Sequence, residues 1–329
     1  MADRFDLVII GAGPTGISCA IEAQKAGLDY IVLEKGFLVN SIYIFPTNMS
    51  FFSTSERLEI GGVPFISHTE KPTRMEALEY YRRITSSYKL KIRYNTEVKK
   101  VDALDGLTQV HSGDNDVFKT KNLIIATGYY DHPRMLDVQG EDLPKVKHYY
   151  DDAHPYIDKN VLVVGAANSA CDVALETWQK GAKVTMAVRE DQLYEKVKYW
   201  ILPNIKNRIK EGSITAYFNT EVSKINLKSV VLDTPEGKKE IENDYVLAMT
   251  GYKPDFAFLR SVGIDFEDTE AQKPILNPET LESNIKNIYL AGVIVSGLKT
   301  SELFIENTRK HGLKIIKDIL RKAQSAKAS

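Results

Sequence analysis

The chain has 329 residues, 43% hydrophobic and 26% charged, with 20 Gly and 12 Pro, the profile of a globular protein long enough for about two domains. Collagen-like, disordered and disulfide-scaffold classes are excluded. With 43 Lys plus Arg against 44 Asp plus Glu the formal charge is -1, so no bulk positive field draws nucleic acid or an anionic membrane.

The first apolar segment, residues 7–10, is short and lacks the basic flank and cleavage site of a secretory signal. No apolar run approaches the ~18 residues of a membrane span, and a cytoplasmic protein is expected. Cys19 and Cys171 are far apart and neither belongs to a CxxC, so redox work requires a bound electron carrier.

FDLVIIGAGPTGISCAIEAQKAGLDYIVLEKG, residues 5–36, reads as strand, glycine turn, helix and strand. Gly11, Gly13 and Gly16 make GxGxxG, a turn that lets a pyrophosphate approach the amides opening the helix. Glu34 ends the second strand, where an acid accepts hydrogen bonds from a ribose diol.

A second unit of the same kind, NVLVVGAANSACDVALETWQKGAKVTMAVRE, spans residues 160–190. Here Gly165, Ala167 and Ala170 make GxAxxA, and Asn168 and Ser169 add polar groups at the turn. Its second strand runs into Arg189 instead of an acid, which favours the 2'-phosphate of NADPH, with Lys196 and Lys198 as further sources of charge.

Two dinucleotides are therefore expected in one chain. LIIATG, ending at Gly128, and YVLAMTG, ending at Gly251, read as paired crossing points. An α/β fold follows, in which one Rossmann-like dinucleotide-binding domain (129–249) is inserted into another (1–128 and 250–329). Residues 284–297 and then a helix over 303–323 return to the first domain, and 323–329 read as a polar tail without a role. The turn-rich stretch 41–65 is expected to be irregular, with Tyr43, Phe51 and Phe52 lining the first cofactor or packing.

At these residues the chain resembles the two-dinucleotide flavoprotein reductases of the thioredoxin-reductase-like group. Within that group it is most similar to the bacillithiol-disulfide reductase family, through SIYIFPTNMSFFS (41–53), LEIGGVPF (58–65), ATGYY (126–130), WILPN (200–204), TGYKPD (250–255) and AGVIVSG (291–297). The resemblance spans essentially the whole chain. It implies FAD at Gly11, Gly13, Pro14, Thr15, Gly16, Glu34, Gly128 and Gly292, and NADPH at Gly165, Ala167, Asn168, Ser169, Ala170 and Arg189. It also implies a homodimer and hydride transfer from NADPH to flavin, with two electrons passed on to a low-molecular-weight disulfide or a small redox protein.

Two departures from the group's patterns bear on that acceptor. KHYYDDAHPY, residues 147–156, stands where a thioredoxin reductase carries CxxC, and Thr15 follows Pro14 where the family pattern has cysteine. The candidate catalytic groups are Thr15, Cys19 and His311, the last as a proton donor; for Cys19 and Cys171 helix packing is the competing reading. The histidines make no recognised metal-ligand spacing. The alternatives are an NADPH-ferredoxin or flavodoxin reductase, separable by acceptor exchange, and a nucleotide-binding redox sensor whose flavin NADPH does not reduce.

Overall fold

A computed structural model describes residues 3–104, 106–113 and 115–328. The chain forms two compact units, one comprising Met1–Tyr43, Met49–His132 and Tyr252–Ser329, the other Ile44–Asn48 and Pro133–Gly251.

In the first unit β1 (Asp3–Ile10), α1 (Pro14–Lys25) and β2 (Tyr30–Leu33) lead through the short α2 (Asn40–Ile44) and α3 (Ser55–Leu58) to α4 (Arg74–Tyr88) and β3 (Ile92–Arg93). An antiparallel meander of β4 (Val98–Leu104), β5 (Leu107–Ser112) and β6 (Val117–Ile125) follows. The second unit holds β7 (Val146–Lys147), β8 (Asn160–Val164), α5 (Asn168–Gln179), β9 (Lys183–Ala187), α6 (Leu202–Lys210) and β10 (Thr215–Tyr217). A three-stranded meander of β11 (Glu221–Ile225), β12 (Ser229–Thr234) and β13 (Gly237–Glu242) then precedes β14 (Tyr245–Ala248). The return to the first unit supplies α7 (Phe256–Val262), β15 (Ile288–Leu290), α8 (Ile305–Thr308) and α9 (His311–Ala328).

Each unit is α/β, Rossmann-like, and centred on a parallel sheet. The first sheet runs β3-β2-β1-β6-β5-β4 with β15 also on β6; the second runs β10-β9-β8-β14-β7. Parallel strands covered on both faces carry near-continuous apolar runs, and Leu7, Val8 and Ile9 of β1 are all wholly buried. Leu7 and Ile9 face α1 and α9 while Val8 and Ile10 face the meander, and each buried side chain contributes about 1.5–3 kcal/mol.

The segment 44–48 groups with the second unit through bonds the sequence did not signal: Thr47 N to the Asp151 carbonyl at 2.9 Å and Asn48 Nδ2 to Glu176 Oε1 at 2.8 Å. The terminal segment also differs from the single helix expected over 303–323. Phe304 is extended, α8 ends at Thr308, and α9 starts anew at His311 and continues through Ala328, so the expected tail is mostly helix. Arg309 occupies the break, donating Nη1 to the carbonyls of Glu56 and Glu59 at 2.8 Å and accepting from Ser18 Oγ at 2.6 Å. These bonds tie the break to α1 and α3. No helix among the described residues is long and apolar enough to cross a membrane.

Candidate cofactor-binding sites

Strand register assembles the first site. Ile10 is level with Leu33 and Ile125, and Leu290 is level with Ile125, so four parallel strands end together. Gly11, Glu34, Ala126 and Ala291 are the next residues. The ladder continues one bond further, Gly11 N to the Leu33 carbonyl at 2.8 Å and Ala291 N to the Ile125 carbonyl at 2.9 Å. In open α/β sheets ligands bind outside these carboxyl ends.

The three glycines of the turn have different physical roles. Gly11, at φ +100, passes so close to the next strand that an added Cβ would lie 2.5 Å from the Ala126 carbonyl oxygen. A Cβ on Gly16 would lie 1.9 Å from the carbonyl oxygen of Gly11. A Cβ on Gly13 would meet nothing within 4 Å, so its missing side chain leaves open space.

Gly13 is also the N-cap of α1, which has no side-chain cap and no acid in its first turn. By contrast α4 is closed by a Thr73/Glu76 capping box. The first amides of α1 thus await an anion. Beside the turn, the buried Thr127 Oγ1 has no partner among the described residues, a group the sequence reading missed although it lies inside the ATGYY stretch. An uncapped helix start, a cradle that a Cβ would fill and an orphaned hydroxyl together fit a dinucleotide diphosphate.

Glu34 is 5% exposed, with Oε2 accepting from Ala12 N at 2.7 Å and Oε1 from Gly36 N at 2.9 Å. Burial pushes its carboxyl up against the opposing pull of these two amides. The bonds hold the carboxylate at the strand end, each oxygen keeping a further lone pair for a ribose hydroxyl. Gly128, two residues beyond Ala126, has φ +71 and open space where a Cβ would go.

Of the residues grouped as catalytic candidates, the structure brings Thr15 and His311 to one place. Thr15 Oγ1 lies 2.9 Å from Thr308 Oγ1, and Thr308 donates to the Phe304 carbonyl at 2.9 Å, so the hydrogen between the two hydroxyls is that of Thr15. A Cβ on Gly292 would lie 3.3 Å from Thr15 Oγ1, and Gly292 N donates to His311 Nδ1 at 3.1 Å.

The surroundings of His311 and Cys19 bear on both as candidates. His311 is held well below the ordinary histidine range, at about 4, by burial and then by Lys314, so it is a neutral imidazole at neutral pH and not an imidazolium proton donor. Cys19 is wholly buried beneath α9 and burial pushes its thiol up to about 12, which disfavours the thiolate there.

The second unit repeats the pattern with alanine at two of the three glycine positions. Val164 is level with Ala187 and Ala248, placing Gly165 and Met249 together at the strand ends. Gly165 sits at φ +131, and a Cβ there would lie 2.6 Å from the Met249 carbonyl oxygen. Ala170 is wholly buried, while Ala167 is an N-cap without a side-chain bond, so α5 also opens with unmet amides.

Ser169 is exposed beside them, and Asn168 Oδ1 accepts from Lys198 N at 2.8 Å, tying the segment after β9 across the start of α5. Lys198 is no free source of charge: its ammonium pairs with Asp172 at 2.8 Å. Arg189 follows β9 with its side chain 73% exposed and its guanidinium 3.0 Å from Glu190. Cys171, on α5, is wholly buried with its thiol up at about 12, because burial and then Asp172 outweigh any help from the helix start. Among the described residues no group of three or more His, Cys, Asp or Glu could hold a metal.

The pyridine nucleotide-disulphide oxidoreductase model matches residues 8–292, spanning both strand-turn-helix units. The chain belongs to this family. As a pyridine nucleotide-disulphide oxidoreductase it is 44% identical over 318 residues to "Bacilliredoxin reductase Bdr" of Bacillus subtilis, covering 96% of this chain and 97% of that protein. Bacillithiol disulfide reductase of Staphylococcus aureus has the same fold, with a TM-score of 0.94, 43% identity and 97% and 99% of the two chains covered. The Bacillus cereus enzyme matches with a TM-score of 0.95 and 39% identity over 97% of this chain and 100% of its own. Such an oxidoreductase is an enzyme.

Proposed function

We propose that this oxidoreductase uses FAD and NADPH to reduce bacillithiol disulfide or a related low-molecular-weight disulfide. The observation that carries this reading is the pair of uncapped helix starts, Gly13 on α1 and Ala167 on α5, each at the carboxyl end of its own parallel sheet. The names of the Staphylococcus aureus and Bacillus cereus relatives, with coverage of nearly the whole chain, support the acceptor.

FAD is assigned to the first unit, where the α1 amides and Thr127 meet the diphosphate and Glu34 holds the adenosine ribose. Gly292 and Gly128 border that site. NADPH is assigned to the second unit, its diphosphate on the α5 amides beside Ser169 and its 2'-phosphate on Arg189. Asn168 positions the segment after β9 through its bond to Lys198 N. Bound, the two cofactors supply hydride transfer from nicotinamide to flavin and a two-electron reductant for the acceptor. A homodimer in the cytoplasm completes the reading, and sedimentation of the holoenzyme measures the dimer mass.

The test is anaerobic reduction of the purified flavoprotein with one equivalent of NADPH, followed by bacillithiol disulfide. Return of the oxidised flavin spectrum with formation of bacillithiol is the expected result. A flavin that stays reduced until ferredoxin or flavodoxin is added would move the acceptor to a redox protein. A flavin that NADPH does not bleach would leave only a sensor.

A further inference from the structure

The whole chain contains two sulfhydryl groups, and each is sealed into the core of its own unit. Cys19 is wholly buried where α9 crosses α1, so closely that a Cβ on Gly312 would lie 2.9 Å from both Cys19 N and Cα. Cys171 is equally buried in the β8–α5–β9 core, its Sγ turned to the Ala166 carbonyl at 3.7 Å. Disulfide exchange needs a thiolate that can approach the S–S axis. Neither sulfur can be approached, and burial raises both thiols to about 12.

The residue beside Pro14 at the flavin-side turn offers no substitute. Thr15 gives its hydroxyl hydrogen to Thr308, whose own hydrogen goes to the Phe304 carbonyl. That pair is a fixed hydrogen-bond chain. His311 takes the Gly292 amide on Nδ1 and so carries its proton on Nε2. The cluster offers a positioned neutral donor and no nucleophile.

We propose that electrons reach the acceptor disulfide directly from reduced flavin, with no protein thiol and no mixed disulfide between chain and substrate. This rests on the FAD and NADPH reading above. The S–S bond of the acceptor breaks on receiving two electrons and two protons, giving two thiols. The electrons originate as the hydride of NADPH, which leaves as NADP+; one proton comes with the reduced flavin and one from solvent. No bond to the chain forms or breaks.

The test follows the thiols themselves. Native holoenzyme, oxidised or NADPH-reduced, is treated with 5,5'-dithiobis(2-nitrobenzoate) and separately with bacillithiol disulfide, then quenched with acid and weighed intact. The expected result is no added mass on the turnover timescale, with both thiols reacting once the chain is denatured. A doubly substituted variant, Cys19→Ala with Cys171→Ala, is expected to reduce the disulfide within about twofold of the parent rate, since no group acting in the transition state is lost.

One bacillithiol bound to either cysteine during turnover overturns the proposal. So does a cysteine-free variant whose flavin is still bleached by NADPH but which no longer reduces the disulfide. If the variant does not fold, the mass measurement on the parent protein decides. A parent enzyme whose flavin NADPH bleaches but which leaves bacillithiol disulfide intact would overturn the substrate reading and with it this route, an outcome distinct from a cysteine that carries bacillithiol.

Discussion

The amide of Gly292 donates to Nδ1 of His311 at 3.1 Å, joining the turn after β15 to the first residue of α9. That bond requires an unprotonated Nδ1. The imidazole is accordingly held at about 4, below its ordinary 6.5, by burial and the nearby Lys314.

The sign of the pH effect follows from which state binds more protons. Between the folded and unfolded values only the unfolded chain is protonated at this position, so the contribution is full above the unfolded value and fades as pH falls toward about 4. The loss amounts to up to about 3 kcal/mol. His311→Asn keeps an acceptor for Gly292 and removes the titration. Urea midpoints at pH 7.5 and pH 5 should therefore fall less in the variant than in the parent; an equal fall would assign the acid sensitivity elsewhere.

Gly13 and Gly16 separate ligand space from packing. At Gly13 a Cβ meets nothing within 4 Å, so Gly13→Ala is expected to fold with an unchanged circular-dichroism melt while its FAD affinity drops about tenfold or more through loss of close approach. At Gly16 a Cβ would lie 1.9 Å from the Gly11 carbonyl oxygen, and Gly16→Ala should yield little soluble protein. Normal flavin content in purified Gly13→Ala protein would count against the first-unit assignment.

On the proposed assignment Arg189 is the residue that distinguishes NADPH from NADH. Its guanidinium is exposed at the end of β9, with Glu190 as a neighbour. Arg189→Ala should raise the KM for NADPH about 10- to 100-fold, the worth of a charge-assisted phosphate contact, and leave that for NADH nearly unchanged. Parallel increases for both nucleotides would place the 2'-phosphate elsewhere.

Asp318 anchors the terminal helix. Its carboxylate accepts from Tyr289 Oη at 2.9 Å and Arg321 Nη2 at 2.6 Å, with Lys322 Nζ 3.0 Å away, and its residue is 3% exposed. Burial alone would push this carboxyl up, but the hydrogen bonds from Arg321, Lys322 and Tyr289 bring it below the usual range. Asp318→Ala should cost about 1–3 kcal/mol in urea denaturation by leaving the buried Tyr289 hydroxyl hydrogen without its acceptor, while Lys322 keeps Glu282 and the exposed Arg321 turns to water. A change under about 0.5 kcal/mol would show the network to be no more than an ordinary surface contact.

The two glycine turns, the strands and helices around them, and the acid-to-arginine change between Glu34 and Arg189 were legible because each is local. Alternating runs of buried residues, a glycine and a helix start are written within about 30 residues of chain, the span of one βαβ unit. Backbone sterics and strand burial then leave few other arrangements. The residue types at the strand ends carried the cofactor reading for the same reason.

Other relationships became visible only when distant segments met. Thr15 and Thr308 are 293 residues apart, and nothing in either neighbourhood marks them as partners. Lys198 looked available for a phosphate until Asp172 lay beside it, and His311 looked titratable until burial and Gly292 decided its proton. Cys19 followed the same logic, since its reactivity depends on whether α9 covers α1. Charge, tautomer and access are set by desolvation and by the last few ångströms of packing, which the order of residues does not encode one position at a time.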